Sequence, residues 1–176
     1  MTPTAPETPQ ADLYRRSARK APSAKPQTGQ HVYAIPRYRV MLVKESLAHP
    51  SSAKIMDSQN AYRLLEPLFD GLDREHFMVV ALDAKHSVIG INTVSIGSVT
   101  MSIVHPREVF KPLILMNASA VILAHNHPSG DATPSQEDRV LTQRLKDGGE
   151  LLGIRVLDHV VLGEARYYSL ADHQEL

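Results

Sequence analysis

The strongest constraint on this chain is an unbroken aliphatic run, Ala120-Val121-Ile122-Leu123-Ala124, that ends at a histidine. Short and rich in aliphatic residues, it reads as a buried strand. It is followed by His125-Asn126-His127-Pro128-Ser129-Gly130-Asp131-Ala132-Thr133-Pro134-Ser135-Gln136-Glu137-Asp138. Side chains alternate along an extended chain, so His125 and His127 project to one face, where two imidazoles can grip one metal ion. Pro128 to Asp131 form a turn cluster, and Ser135 reads as a helix N-cap with Gln136, Glu137 and Asp138 in the first turn. A strand, a loop and a helix start thereby bring Asp138 within reach of the histidine pair.

The donor set favours zinc. Two neutral imidazoles and one carboxylate make a three-ligand site, and catalytic zinc keeps its fourth position for water. Water held there has its pKa lowered from ~15.7 to about 7, which supplies hydroxide at neutral pH. Ser135, three residues before Asp138, could hydrogen-bond the water or a developing oxyanion. Each element also has a plainer reading. His-x-His on a strand can be a structural pair, and Ser-x-x-Asp is equally a capping box in which Ser135 caps the Asp138 amide. The chain has no cysteine, so disulfides and thiolate metal sites are excluded and a metal must be held by imidazole and carboxylate.

At 176 residues the chain is long enough for one domain and too short for two comfortable ones. Nineteen basic and nineteen acidic residues leave no net charge, which argues against a globally basic nucleic-acid binder. Residues 1 to 30 are rich in Pro, Thr, Ala and Gln with almost no large apolar side chains, and read as a disordered tail. The tail holds Arg15, Arg16, Arg19, Lys20 and Lys25 against Glu7 and Asp12, a local positive excess that solvent can satisfy. No apolar run approaches the roughly 20 residues that span a bilayer, and the start lacks a secretory core. A cytoplasmic protein without a membrane segment is expected.

Along the rest of the chain, Tyr38 to Val43 reads as the strand that opens the fold, and Ser58 to Phe69 as a helix capped by Asp57 or Ser58, with Pro67 a kink or boundary. Glu75 to Asp83 and Ser87 to Gly97 read as a strand pair joined by a turn at Asp83-Ala84-Lys85-His86. Arg107 to about Asn117 reads as a helix opened by Pro106. A helix from Ser135 to about Lys146 should stop at Gly148-Gly149, burying Val140, Leu141 and Leu145. Strands Ile154 to Leu157 and His159 to Leu162 then close the sheet, and the last residues fray. Strands interleaved with helices in this order indicate a mixed α/β domain.

The spacing His125-x-His127, seven residues, Ser135-x-x-Asp138 resembles the JAMM signature of MPN/JAB-domain metalloproteins. The wording His-Asn-His-Pro-Ser-Gly-Asp, with His105-Pro106-Arg107-Glu108-Val109-Phe110 before it and Leu157-Asp158-His159-Val160-Val161-Leu162-Gly163 after it, resembles the RadC family of bacterial JAB-domain proteins, over roughly residues 40 to 171. The resemblance implies a single JAB/MPN-type (cytidine-deaminase-like) domain over residues 31 to 176, a mixed sheet flanked by helices. It also implies zinc (Zn2+) held by His125, His127 and Asp138, with Ser135 assisting at the water.

Hydrolysis needs a proton acceptor beside that water, usually a Glu. JAMM domains similarly place one upstream, where a helix gives way to a strand, and Glu75 matches that position. Glu108, in the Pro-Arg-Glu stretch, is the competing candidate and also fits a solvated acid in a helix's first turn. His76 should point to the opposite side of its strand, and Asp158-His159 reads as a supporting pair rather than as ligands. The resemblance thus implies a zinc metallopeptidase acting on an amide or isopeptide bond of a peptide or protein substrate. The alternative is a JAB-type metal-binding module in DNA repair or recombination without hydrolysis. RadC relatives commonly carry a helix-hairpin-helix segment before the JAB domain, and Met1 to Gln30 cannot encode one. Neither charge nor such a segment supports DNA as a partner.

Overall fold

The computed structural model describes residues 37–44, 54–97 and 104–176, and the account below concerns the unit Val40–Leu176. The tail expected over residues 1 to 30 lies outside the described residues.

Among the described residues three helices and five strands follow one another as α1 (Ser58–Phe69), β1 (His76–Leu82), β2 (Val88–Ile96), α2 (Pro106–Leu115), β3 (Ala120–Asn126), α3 (Gln136–Leu152), β4 (Arg155–Gly163) and β5 (Arg166–Ser169). The strands form one mixed sheet in the order β2-β1-β3-β4-β5. β1 runs antiparallel to β2 and β3, β3 parallel to β4, and β4 antiparallel to β5. The parallel β3/β4 pair needs a crossover, and α3 supplies it. This is the mixed α/β sheet that the interleaved pattern indicates.

The aliphatic run becomes β3, buried at all seven residues because it sits mid-sheet with helices on both faces. Alternation sends Met78, Val80, Leu82, Ile122, Ala124, Val160 and Leu162 toward Ala61, Leu65 and Phe69 of α1. Phe77, Val79, Ala81, Val121 and Leu123 go the other way, toward Val109, Phe110 and Leu113 of α2 and Leu145 of α3. A fully buried leucine such as Leu65 contributes about 1.5–3 kcal/mol relative to leaving it in water.

Local chemistry explains the ends. Asp57 caps α1 by accepting from the Asn60 amide at 2.6 Å. The helix runs through Pro67 to Phe69, because Pro67 lies on the exposed face, where water can serve the carbonyl one turn back. Pro106 occupies the first turn of α2, where its missing N–H costs nothing.

Five expectations need correction. Tyr38 to Val43 forms no strand. The segment is irregular and exposed, with no ladder partner among the described residues, and a strand needs one. Helix α3 passes through Gly148 and Gly149 and ends at Leu152, with Gly153 in the left-handed conformation at φ 71° as its cap. Gly149 serves close packing instead, since a Cβ there would overlap the Ile154 carbonyl. Val140 faces solvent at 60% exposure, while Leu141 and Leu145 pack inward as expected. The two closing strands are one, β4, with a register shift between the Val156 and Asp158 pairings; a further strand, β5, follows, and the last residues do not fray but close a turn in which the Glu175 amide donates to the Leu170 carbonyl at 2.9 Å.

That chain end is stitched down by Asp158, a buried carboxylate that accepts from the His159 amide at 2.7 Å, the Ser169 hydroxyl at 2.7 Å and the Ala171 amide at 3.0 Å. Burial nevertheless pushes its carboxyl above the ordinary range. Among the described residues no helix is long and apolar enough to cross a membrane.

Candidate metal centre

His125 and His127 leave the carboxyl end of β3 on the α3 side of the sheet, the end of a strand at which α/β folds place ligands. Asn126, pointing the other way, acts as a clasp on β1. Its Oδ1 accepts from the His76 amide at 2.8 Å and its Nδ2 donates to the Arg74 carbonyl at 3.1 Å. The turn after His127 closes through Gly130, at φ 81°, whose amide donates to the His127 carbonyl at 3.0 Å. Asp131 then holds Thr133 through its amide at 3.0 Å and hydroxyl at 2.8 Å, which steers the chain to Ser135.

Ser135 caps α3 and completes a capping box with Asp138. The Asp138 amide donates to Ser135 Oγ at 3.1 Å, while Asp138 Oδ2 accepts from the Ser135 amide at 2.7 Å and its hydroxyl at 2.6 Å. The capping and ligand readings of Ser-x-x-Asp are therefore compatible, because the box fixes the rotamer that aims the carboxylate at the histidines.

Three donors converge. His125 Nε2 and His127 Nε2 are 3.0 Å apart, His125 Nε2 is 3.3 Å from Asp138 Oδ1, and His127 Nε2 is 3.6 Å from Asp138 Oδ2. Bonds of about 2.0–2.1 Å to a tetrahedral zinc place ligand atoms about 3.3 Å from one another, so these separations match the edges of such a site. His127 Nδ1 lies 2.7 Å from the Asp131 carbonyl, which can only accept. Nδ1 therefore carries the proton, and the Nε2 of a neutral His127 offers a lone pair. Two imidazoles and a carboxylate, held with ligand atoms within 4.8 Å of one another, fit a zinc ion by chemistry and by spacing.

Without a metal the same contacts set the charges. Burial would raise the Asp138 carboxyl, but its contacts with His125, His127 and Ser135 outweigh it and hold the group far below the usual carboxylate range. The bond to Asp138 raises His127 against the opposing effect of burial, with a smaller contribution from the charge of Glu75. His159, entirely buried, is pushed well below its ordinary value.

The remaining candidates separate by position. Phe77 pairs with His125 across the β1/β3 ladder and its ring stacks against that imidazole, centroids 6.1 Å apart. Half-buried Glu75 lies just before β1, two residues ahead of Phe77, and its charge acts on His127. The Asn126 clasp brackets it on both sides. Glu108 instead pairs with Arg107 at 3.2 Å on the exposed start of α2. The carboxylate of Asp158 holds backbone and Ser169 rather than the His159 ring. That ring reaches His125 and Thr142.

Sequence reading missed Thr142 and Asn126. Thr142 had a signal, lying one helical turn after Asp138 and so on the same face of α3. A cavity of about 690 Å³ between the end of α1, the β3–α3 loop and the β4–β5 hairpin is lined by Asn126, His127 and Pro128. His125, Ser135 and Asp138 do not line it, so it flanks the convergence point.

Comparison with known proteins places this geometry among relatives. The family described as RadC-like JAB domain matches residues 55–175. A UPF0758 protein of Desulfitobacterium hafniense (strain DSM 10664 / DCB-2) is 59% identical over 101 residues, 57% of this chain and 44% of that protein. A UPF0758 protein of Moorella thermoacetica is 55% identical over 105 residues, 60% of this chain and 46% of the relative. One of Methanococcoides burtonii is 48% identical over 119 residues, 68% and 52% respectively. The chain spans about half the length of the curated relatives it matches.

Proposed function

The chain belongs to the RadC-like JAB domain family, and on that premise we propose that it is a zinc-dependent hydrolase that cleaves an amide or isopeptide bond in a peptide or protein substrate. The observation that carries the reading is the meeting of His125 Nε2, His127 Nε2 and the Asp138 carboxylate at 3.0–3.6 Å, at the end of a buried strand. These three residues would hold zinc. When bound, zinc supplies Lewis acidity that makes water nucleophilic at neutral pH and polarises a carbonyl.

The protein's own groups do the rest. Glu75, whose charge acts on His127, accepts a proton from the attacking water and returns it to the leaving amine. Ser135, whose hydroxyl donates to Asp138 Oδ2, fixes that carboxylate, and rotation of its O–H presents a donor to the developing oxyanion. Asn126 holds the start of β1, and with it Glu75, in register with the histidines.

Metal analysis tests the reading first. The purified protein is expected to carry about one zinc per chain, Asp138→Ala to carry none, and a peptide library to be cut only by the loaded wild type. Equal zinc in wild type and Asp138→Ala sinks the assignment. Zinc in wild type without cleavage of peptides or isopeptide-linked substrates sinks the hydrolase.

A further inference from the structure

Behind His125, away from the converging ligand atoms, lies a chain of hydrogen bonds that the proposed reaction does not use. Thr142 Oγ1 is 2.6 Å from the Asp138 carbonyl and 2.5 Å from His159 Nδ1, and His159 Nε2 is 2.8 Å from His125 Nδ1. All three side chains are buried, at 1%, 0% and 1% exposure for Thr142, His159 and His125. We infer that Thr142 and His159 are positioning residues that fix the tautomer of His125, so that its Nε2 faces the site without a proton and is kept for a cation. The inference rests on the metal-site reading above.

The protons can be assigned in order. A carbonyl only accepts, so the single hydroxyl proton of Thr142 goes to Asp138. With that proton committed, Thr142 Oγ1 can only accept from the other side, and the donor is His159 Nδ1–H. No carboxylate touches either ring nitrogen of His159, and an unpaired imidazolium so deeply buried is costly. The ring is therefore neutral, its proton is on Nδ1, and its Nε2 is a bare acceptor. The partner at 2.8 Å must then be His125 Nδ1–H. A neutral His125 has spent its one ring proton there, and Nε2 is left bare toward His127 Nε2 and Asp138 Oδ1.

The other tautomer meets an immediate penalty. It would set a bare His125 Nδ1 against the bare Nε2 of His159 where water cannot intervene, leaving both buried acceptors unsatisfied. Phe77 closes that space, its ring meeting the His159 edge at a centroid distance of 5.5 Å. Metal-binding histidines ordinarily give the second ring proton directly to a carboxylate or carbonyl. Here an imidazole and a hydroxyl carry the same constraint to a carbonyl, and the carbonyl is that of Asp138. One residue thus supplies a ligand with its side chain and anchors the tautomer of another with its backbone.

The test uses metal-free and zinc-titrated full-length protein. Long-range proton–nitrogen correlation spectra at pH 8 read each imidazole tautomer without metal, and competition with a chromophoric chelator reads zinc affinity. In wild type, His125 and His159 are expected as Nδ1–H forms. Thr142→Val keeps the shape and removes the hydroxyl, so His159 and His125 should lose that preference and zinc affinity should fall by about 10–100-fold. Thr142→Ser should restore both, which a purely structural role for the hydroxyl does not require. His125 found as the Nε2–H form in wild type, or Thr142→Val with unchanged tautomers and unchanged affinity, overturns the inference. A wild type that takes up no zinc overturns the metal reading itself, while the tautomer spectra, which need no metal and no variant, still decide the relay.

Discussion

On the α1 side of the sheet, Met78, Val80, Leu82, Ile122, Ala124, Val160 and Leu162 meet Ala61, Leu65 and Phe69, and the buried polar residues on this face, Asn126, Asp158 and Ser169, bond backbone and one another. On the opposite side the strands begin the same way, with Val79, Ala81, Val121 and Leu123 under α2 and α3, and then place His125 and His159 against Thr142. Strand alternation is the whole difference, since each residue sent to one face forces its neighbour to the other. The α1 face can stabilise without regard to chemistry, because nothing on it touches the three converging ligand atoms. Both faces bury polar groups, those on the α3 side running toward the ligand atoms, which is tolerable only because each finds a partner; among the described residues no buried side-chain nitrogen or oxygen lacks one.

Substitutions that fall on one face alone can break that division. The largest effect is expected from Leu65→Ala, which empties fully buried volume against the hydrocarbon layer and should cost about 2–5 kcal/mol by denaturant unfolding. Zinc stoichiometry of the folded fraction should not move, and a parallel loss of zinc would show that the faces are coupled. Glu75→Gln is the converse. Zinc content and unfolding midpoint should match wild type while hydrolysis falls by about 100-fold, measured as kcat on a cleaved peptide. Activity retained in that variant but lost in Glu108→Gln would transfer the base to α2.

Ser135→Ala touches both properties through the capping box and should lower stability by about 1 kcal/mol. It should also weaken zinc binding, since the carboxylate loses a donor that orients it. The smallest effect is one of pH. Without metal, Asp138 raises the folded-state pKa of His127, so protonated His127 stabilises the protein fully below its unfolded value of about 6.5 and ceases to do so as pH rises through the folded value. Asp138, held far below its usual range, contributes at both ends of that interval and is lost only in stronger acid. Zinc needs neutral imidazoles. The midpoint gap between zinc-loaded and chelated protein should therefore widen from pH 6 to pH 8, and a constant gap would mean that His127 is not a ligand.

The parts legible in the sequence are those fixed by local geometry. A period of two set His125 and His127 on one face, and an N-cap rule placed Asp138 in the first turn of α3. Glu75 was legible as a position just before β1, but how near it comes to His127 depends on the β1/β3 pairing, which no local pattern specifies. The contact between His159 and His125 likewise needed the β3/β4 pairing and its register shift. Gly148-Gly149 misled because glycine marks both helix ends and close approaches, and only the packed helix distinguishes them. Tyr38 to Val43 has the composition of a strand, but among the described residues it pairs with none.

The clasp between Asn126 and the start of β1 also bears on how the site comes together in time. The three ligands lie within one β-loop-α segment, whereas Glu75 is separated from His127 by some 50 residues of chain and is brought across by hydrogen bonds to Asn126. Closing the longer span costs about 1 kcal/mol more loop entropy than closing the shorter one. On the proposed reading, cation capture is a property of the β3–α3 segment and proton transfer a property of the zipped sheet. Fraying at the first rung of the β1/β3 ladder would then leave the three ligands together and release Glu75, so turnover rather than metal content would register the opening.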